Sequence, residues 1–190
     1  MEKLNFNKKR VAVFISGKGT NFKSLYKFSK LKKSKYKITI VISNKKNTLG
    51  IAFAKNNRIK NFTLIDKINL FEKKSIKILK KYKIDILCLA GFMRILSLNF
   101  INKFKKPILN IHPSLLPKLK GLNTHERAIK RKHKFSGCTV HLVNARLDSG
   151  KKLGQVKVKI TKNDNAKSLE KKILRQEHIL YPNSLNNFIN

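Results

Sequence analysis

Short apolar runs alternate with longer amphipathic segments along this chain, and the alternation predicts strands interleaved with helices. Residues 11–15 (VAVFI) are continuously apolar, as in a parallel strand covered on both faces. Phe22, Leu25 and Phe28 then recur at helical spacing, predicting a helix from the SGKGTN turn at 16–21 to about Lys33. Residues 38–42 read as a second strand, 51–57 as a short helix and 62–65 as a third strand. Ile68, Phe71, Ile78, Leu79 and Tyr82 share one face of a further helix. Residues 85–90 (DILCLA) form an apolar central strand that ends in GFMRIL at 91–96. That hexapeptide reads either as a pocket wall or, on local sequence, more readily as a helix start. A last apolar segment at 107–109 leads into NIHPSLLP at 110–117.

Four βα units in succession predict an α/β fold with an open, doubly wound, mostly parallel sheet and right-handed connections. The C-terminal part changes character. Residues 124–133 read as helix, 138–143 as strand, 147–150 (LDSG) as a turn and 155–160 as an alternating strand, so an antiparallel edge is expected there. Residues 165–181 form a final helix with Ala166, Leu169, Ile173 and Leu180 inward and Pro182 as its terminator. Nothing resembles a linker or repeat, so residues 1–190 are read as one domain.

Composition changes the picture in one respect. The 45 Lys and Arg against 9 Asp and Glu give a net charge of +36, and with seven Arg among them 38 of the 45 are Lys. Such a charge raises a nucleic-acid surface as a possibility. The lysines are scattered along the whole chain rather than gathered in one arm, and Asn and Ile are also frequent, which fits a general compositional drift better. No dedicated nucleic-acid partner is expected, but a field this positive favours encounter with anionic ligands. Cys88 and Cys138 sit in apolar runs without metal-ligand spacing, reading as core thiols of a reducing compartment. The apolar run at 11–15 is too short for a signal-peptide core, and no stretch approaches the roughly 18 apolar residues of a membrane span. A cytoplasmic protein without a membrane partner is expected.

NIHPSLLP holds the densest candidate chemistry. Asn110 and His112 are two residues apart on an extended segment, so their side chains share a face, and Pro113 biases His112 toward extended backbone. A polar pair at a strand end is where open α/β sheets place their sites; an amide and an imidazole there also serve as caps of a following turn. Strand, glycine turn and helix at 11–33 is the arrangement that aims backbone N–H groups at an anion. Gly17 and Gly19 complete neither the dinucleotide fingerprint nor a P-loop, so the turn reads as a phosphate cradle or a plain tight turn.

Taken together and in order, SGKGTN, GFMRIL, NIHPSLLP, GCTVH at 137–141, LDSG and RQEHILYP at 175–182 resemble the folate-dependent formyltransferase superfamily, in its glycinamide ribonucleotide branch. The likeness runs over about residues 10–182. It implies formyl transfer from 10-formyltetrahydrofolate to the amine of glycinamide ribonucleotide, without a metal, by a monomer or homodimer. It further implies a nucleotide-phosphate side in the N-terminal half and a folate and catalytic side in the C-terminal half. By resemblance, Asn110 binds the formyl oxygen, protonated His112 stabilises it as an oxyanion, and Asp148 holds the imidazole and assists proton movement. A carboxylate beside His112 is expected to raise the imidazole's pKa. Gly19, Thr20 and Asn21 match the phosphate turn, and Glu177 the carboxylate at the ribose or amine end. Met93, Arg94, Ile95 and Leu96 match the folate pocket wall, and the loop from Asn144 to Asp148 the backbone that reads the pterin edge.

The chain departs from the pattern in four places. Lys151 and Lys152 follow LDSG where the family has Pro and an apolar pair, which is expected to loosen the loop carrying Asp148. An arginine before the helix at 68–82 is missing, with Lys67 as its substitute. The chain also stops at Asn190, and it is unusually rich in lysine. Three other readings stand beside the transferase: a methionyl-tRNA formyltransferase or formyltetrahydrofolate hydrolase, disfavoured because those carry an extra domain; a basic nucleic-acid-binding module on the same fold; and an inactive homologue.

Overall fold

The two faces of the first strand set the architecture. The computed structural model describes residues 8–189, and β1 (Lys9–Ile15) lies in the interior of its sheet. Val11, Val13 and Ile15 point to one face, Ala12 and Phe14 to the other, and all five are fully buried. The chain continues as α1 (Thr20–Ser29), β2 (Tyr36–Ser43), α2 (Leu49–Asn56), β3 (Lys60–Thr63), α3 (Ile68–Lys81) and β4 (Ile86–Leu89). It then runs through α4 (Leu98–Phe104), β5 (Ile108–His112), α5 (Thr124–Lys130), β6 (Phe135–Leu142), β7 (Lys152–Lys159) and α6 (Ala166–Phe188).

The sheet order is β3-β2-β1-β4-β5-β6-β7. β1 to β5 pair in parallel, while β6 and β7 add an antiparallel edge, so the expected doubly wound sheet with its C-terminal antiparallel part is what forms. One core lies under α1, α2 and α6, with Phe22, Leu25, Ile51, Ala54, Tyr181 and Leu185. The other lies under α3 and α4, where Phe14 meets Phe71, Phe92 and Phe100 at centroid distances of 5.4, 5.4 and 6.1 Å. Strand order reverses between β1 and β4, which opens a crevice at the strands' carboxyl ends. Cys88 and Cys138 are free and buried, and burial pushes both thiols up to about 12.

Several boundaries differ from the sequence pattern, each for a local reason. α1 stops at Ser29, capped by Lys30, rather than reaching Lys33. β3 begins at Lys60, two residues early, because pairing with Ile40 of β2 sets its start. β6 likewise extends back to Phe135 through its ladder with β7. Residues 91–96 form a loop, turned by Gly91 at φ 69°, and not a helix start. The helix waits for Ser97, whose Oγ accepts from Phe100 N at 3.1 Å. The Glu72 carboxylate accepts from Ser97 N and Oγ at 2.7 and 2.6 Å, placing an anion at the start of α4. Pro182 does not end α6, which continues to Phe188. Tyr181, Pro182, Ser184 and Leu185 are buried, and Tyr181 Oη reaches the carbonyls of Leu89 and Leu109 at 3.1 and 2.9 Å. That anchoring outweighs the one helical bond a proline removes.

Candidate active site

β5 is buried along its length except at half-buried Asn110, which shares a face with His112 near the strand's carboxyl end. Antiparallel pairing sets His141 of β6 opposite Asn110 and Thr139 opposite His112. Asp148 comes from the turn after β6, with φ at 47°, a left-handed conformation that aspartate tolerates. The result is a closed polar cluster. His112 Nδ1 lies 3.4 Å from Asp148 Oδ2, and His141 Nε2 lies 3.6 Å from Asp148 Oδ1. Asn110 Nδ2 is 3.3 Å from His141 Nε2, and Gly121 N donates to Asp148 Oδ2 at 2.9 Å. His112 Nε2 donates to the carbonyl of Leu119 at 2.9 Å.

Electrostatics divide the cluster. Burial pushes the His112 pKa down and prevails over the bond to Leu119 O and the charge of Asp148, with His141 and Arg127 adding to the depression. The expected rise is therefore reversed: the carboxylate does favour the imidazolium, but desolvation of a ring only 6% exposed is larger. Asp148 goes the other way. Burial pushes its carboxyl up, yet His141, the Gly121 N–H and the charge of His112 together hold it below the ordinary range.

The loop 113–119 is clamped over this face from below. Thr139 Oγ1 donates to Ser114 O at 2.6 Å and accepts from Leu116 N at 3.2 Å, while Gln155 Nε2 donates to Thr139 Oγ1 and Leu116 O at 2.8 and 3.1 Å. The lysines after LDSG do not loosen the Asp148 turn. Leu142 N donates to Lys151 O at 2.9 Å, and a Cβ on Gly150 would sit 1.8 Å from Leu142 O, so the backbone is packed directly on β6.

A second group of residues meets across the switch point. Gly19, at φ 66°, is the N-cap of α1 and offers no side-chain cap, and no acidic residue occupies the first turn. The helix N–H groups are thus available to an anion. Thr20 opens the helix half-buried, and buried Asn21 donates from Nδ2 to Glu177 Oε2 of α6 at 2.7 Å. Asn21 Oδ1 is buried without a partner. Glu177 is 6% exposed, and burial pushes its carboxyl up to about 7 against the lowering bond from Asn21.

The 91–96 loop forms a wall in which neighbouring residues act differently. Met93 and Ile95 are 65% and 72% exposed, whereas Leu96 is buried in the α3–α4 core. Met93 N donates to Ser16 Oγ at 2.8 Å, tying this wall to the end of β1. The Arg94 guanidinium is already engaged: Nη1 donates to Asp66 O at 2.6 Å, Nε donates to the Asn44 amide at 3.0 Å, and the group stacks on Phe71. Asn144 is exposed, and its Oδ1 accepts from Arg146 N at 3.0 Å. Lys67 is exposed at the N-cap of α3.

Two residues escape a reading of sequence alone. His141 ends the GCTVH run, but only the β5–β6 register sets it beside Asn110. Gly50 opens α2 against the glycine turn: its N–H donates to Gly17 O at 3.2 Å, and its Cα would meet a Cβ on Gly19 at 2.9 Å. Nothing in spacing joins positions 19 and 50. Among the described residues, no cluster of three His, Cys, Asp or Glu side chains is placed to hold a metal ion.

The amide, two imidazoles and carboxylate gather near the carboxyl ends of the strands of an open α/β sheet, where folds of this class keep their sites. The formyl transferase family model matches residues 9–185. The phosphoribosylglycinamide formyltransferase of Escherichia coli is 36% identical over 176 residues, covering 90% of this chain and 83% of that protein. The human trifunctional purine biosynthetic protein adenosine-3 is 40% identical over 187 residues, covering 95% of this chain but 18% of that protein, so the chain spans less than a fifth of it. The crystal structure of phosphoribosylglycinamide formyltransferase from Brucella melitensis matches with a TM-score of 0.90 at 39% identity, covering 96% of each chain. The chain belongs to the formyl transferase family.

Proposed function

We propose that this protein transfers a formyl group from 10-formyltetrahydrofolate to the amine of glycinamide ribonucleotide, in de novo purine biosynthesis. The observation that carries the reading is the meeting of Asn110, His112 and Asp148 at the carboxyl end of β5, in a chain whose relatives of matching length bear that activity in their names.

The chemistry asks for three things. Attack of a neutral amine on the formyl carbon builds negative charge on oxygen, which Asn110 Nδ2–H and His112 meet as donors, each worth about 3 kcal/mol in comparable sites. His112 Nε2 is bonded to Leu119 O, so the formyl oxygen takes that donor in exchange for the carbonyl. The new C–N bond forms as the bond from formyl carbon to folate N10 breaks, and one proton passes from the amine to N10. Asp148, kept ionised by its neighbours, accepts that proton through water and passes it on to N10, and its charge favours the protonated form of the His112 ring as the oxyanion develops.

For binding, the N–H groups at Gly19, Thr20 and Asn21 take the ribonucleotide phosphate, and Glu177 faces its ribose or amine end. Met93 and Ile95 supply apolar contact to the folate, while Arg94 and Leu96 hold the wall in place. Asn144 and Asp148 shape the loop that reads the pterin edge. Both substrates are water-soluble small molecules, consistent with a cytoplasmic enzyme; among the described residues no helix is long and apolar enough to cross a membrane.

The test combines purified protein, a 10-formylfolate donor and glycinamide ribonucleotide, following the deformylated folate by absorbance, with a parallel reaction lacking ribonucleotide. Signal that depends on ribonucleotide is expected. Signal in both reactions makes the protein a hydrolase, and silence in both from folded protein removes the activity.

A further inference from the structure

When His112 Nε2 turns to the formyl oxygen, the Leu119 carbonyl loses the donor it holds at 2.9 Å. Leu119 is buried, and a buried acceptor left without a partner is costly. One other donor stands within reach. Ser114 Oγ lies 3.1 Å from Leu119 O and 2.7 Å from Lys118 O, and its single proton favours the nearer oxygen. Lys118 is exposed, so water can take over its carbonyl; Leu119 has no such recourse. Ser114 is itself fully buried and fixed along its backbone. Its N–H donates to His112 O at 2.9 Å, and its carbonyl accepts from Thr139 Oγ1 at 2.6 Å. Thr139 Oγ1 in turn accepts from Leu116 N and Gln155 Nε2 at 3.2 and 2.8 Å, which ties the turn to β6 and β7. Carbonyls only accept, so the bonds from the two hydroxyls have their direction set without reference to any titrating group.

We propose that Ser114 is a positioning residue that takes over the Leu119 carbonyl when the His112 ring turns to substrate. The hydroxyl proton rotates about the Cβ–Oγ bond, leaving Lys118 O to water and moving to an oxygen already 3.1 Å away. His112 is thereby released without stranding a buried acceptor. The benefit falls only on the state in which the formyl oxygen holds the imidazole donor, so it lowers the barrier without tightening the binding of either substrate. Ser114 acts through His112 and not on the reacting atoms. This role rests on the transferase reading above.

The experiment compares Ser114→Ala, which removes the donor, with Ser114→Cys, whose thiol donates weakly. In steady-state assays Ser114→Ala is expected to lose about 10- to 100-fold in kcat, the rate equivalent of one stranded buried acceptor, with KM for both substrates near the parent value. Ser114→Cys is expected to fall between Ser114→Ala and the parent. In a His112→Ala background, Ser114→Ala should cost nothing further, because no bond to Leu119 remains to be exchanged. Full turnover in folded Ser114→Ala, a loss carried by KM, or the same loss with and without His112 overturns the proposal. A crystal structure of His112→Ala reads the exchange directly, whether or not the Ser114 variants fold. There Ser114 Oγ should lie nearer to Leu119 O than to Lys118 O, and the present order unchanged overturns the proposal. Parent protein without transferase activity defeats the functional reading instead, and the order of those two contacts still stands by itself.

Discussion

Glu177 is buried on α6 and bonded across to Asn21 at the start of α1. Its carboxyl, pushed up to about 7 by burial, holds a proton in the folded state that the unfolded chain releases from its ordinary 4.5. Between those values the folded state binds more protons, so this group's contribution to stability falls as pH rises through the window. Glu177→Gln keeps an acceptor for Asn21 and carries no charge. Its melting temperature should exceed the parent's at about pH 8, by an amount worth up to about 3 kcal/mol, and match it near pH 4. A gain independent of pH would sink this account. His112 carries the other prediction at this scale. The Gly121 N–H and His141 still face Asp148 when the imidazole is gone, so His112→Ala should fold and bind the ribonucleotide. It should lose about 100-fold or more in kcat, the usual consequence of deleting an oxyanion donor. Normal turnover would remove His112 from the mechanism. The sequence placed Asn110 and His112 on one strand face by spacing alone. It misjudged the direction of the His112 pKa because desolvation depends on what the fold stacks over the ring.

At the scale of elements, the glycine turn after β1 owes its shape to α2. A Cβ on Gly50 would lie 2.4 Å from Ile15 Cδ1 and 3.1 Å from Gly17 O. Ile15 is fully buried and has nowhere to go, so Gly50→Ala must push on the turn. About 1–3 kcal/mol of stability should be lost. KM for the ribonucleotide should rise about tenfold with kcat little changed, if the turn holds the phosphate as proposed and not the reacting atoms. Unchanged KM in initial-rate measurements would separate α2 from the phosphate site. The elements themselves were legible where apolar runs were continuous, as in β1, β2 and β4. α4 was not, because Ser97 with Glu72 starts it, and α6 was legible only as far as Tyr181, whose anchoring carries the helix past Pro182.

At the scale of the whole molecule, acidic side chains are mostly committed to structure, and the net charge is +36. Glu72 bonds Ser97, Asp85 accepts from Arg10 N, and Asp164 pairs with Lys172 at the start of α6. Nine acidic side chains offset 45 basic ones, so the long-range field is positive and, under the proposed function, would steer the phosphate-bearing substrate inward. The expected signature is a fall of about tenfold in kcat/KM for the ribonucleotide from low to physiological ionic strength, with kcat nearly constant. Salt-independent kcat/KM would leave the charge without a part in substrate capture. Sequence alone determined the alternation of strand and helix and the parallel sheet with its antiparallel edge, because these follow from side-chain periodicity, and it marked Asn110, His112 and Asp148 as candidates through motifs that resemble a family's. Tertiary structure decided the partnership of His141 with Asn110, the contact of Gly50 with Gly19, and the bond from Asn21 to Glu177. Those pairs are 31, 31 and 156 positions apart, and only strand register and helix packing bring them within reach.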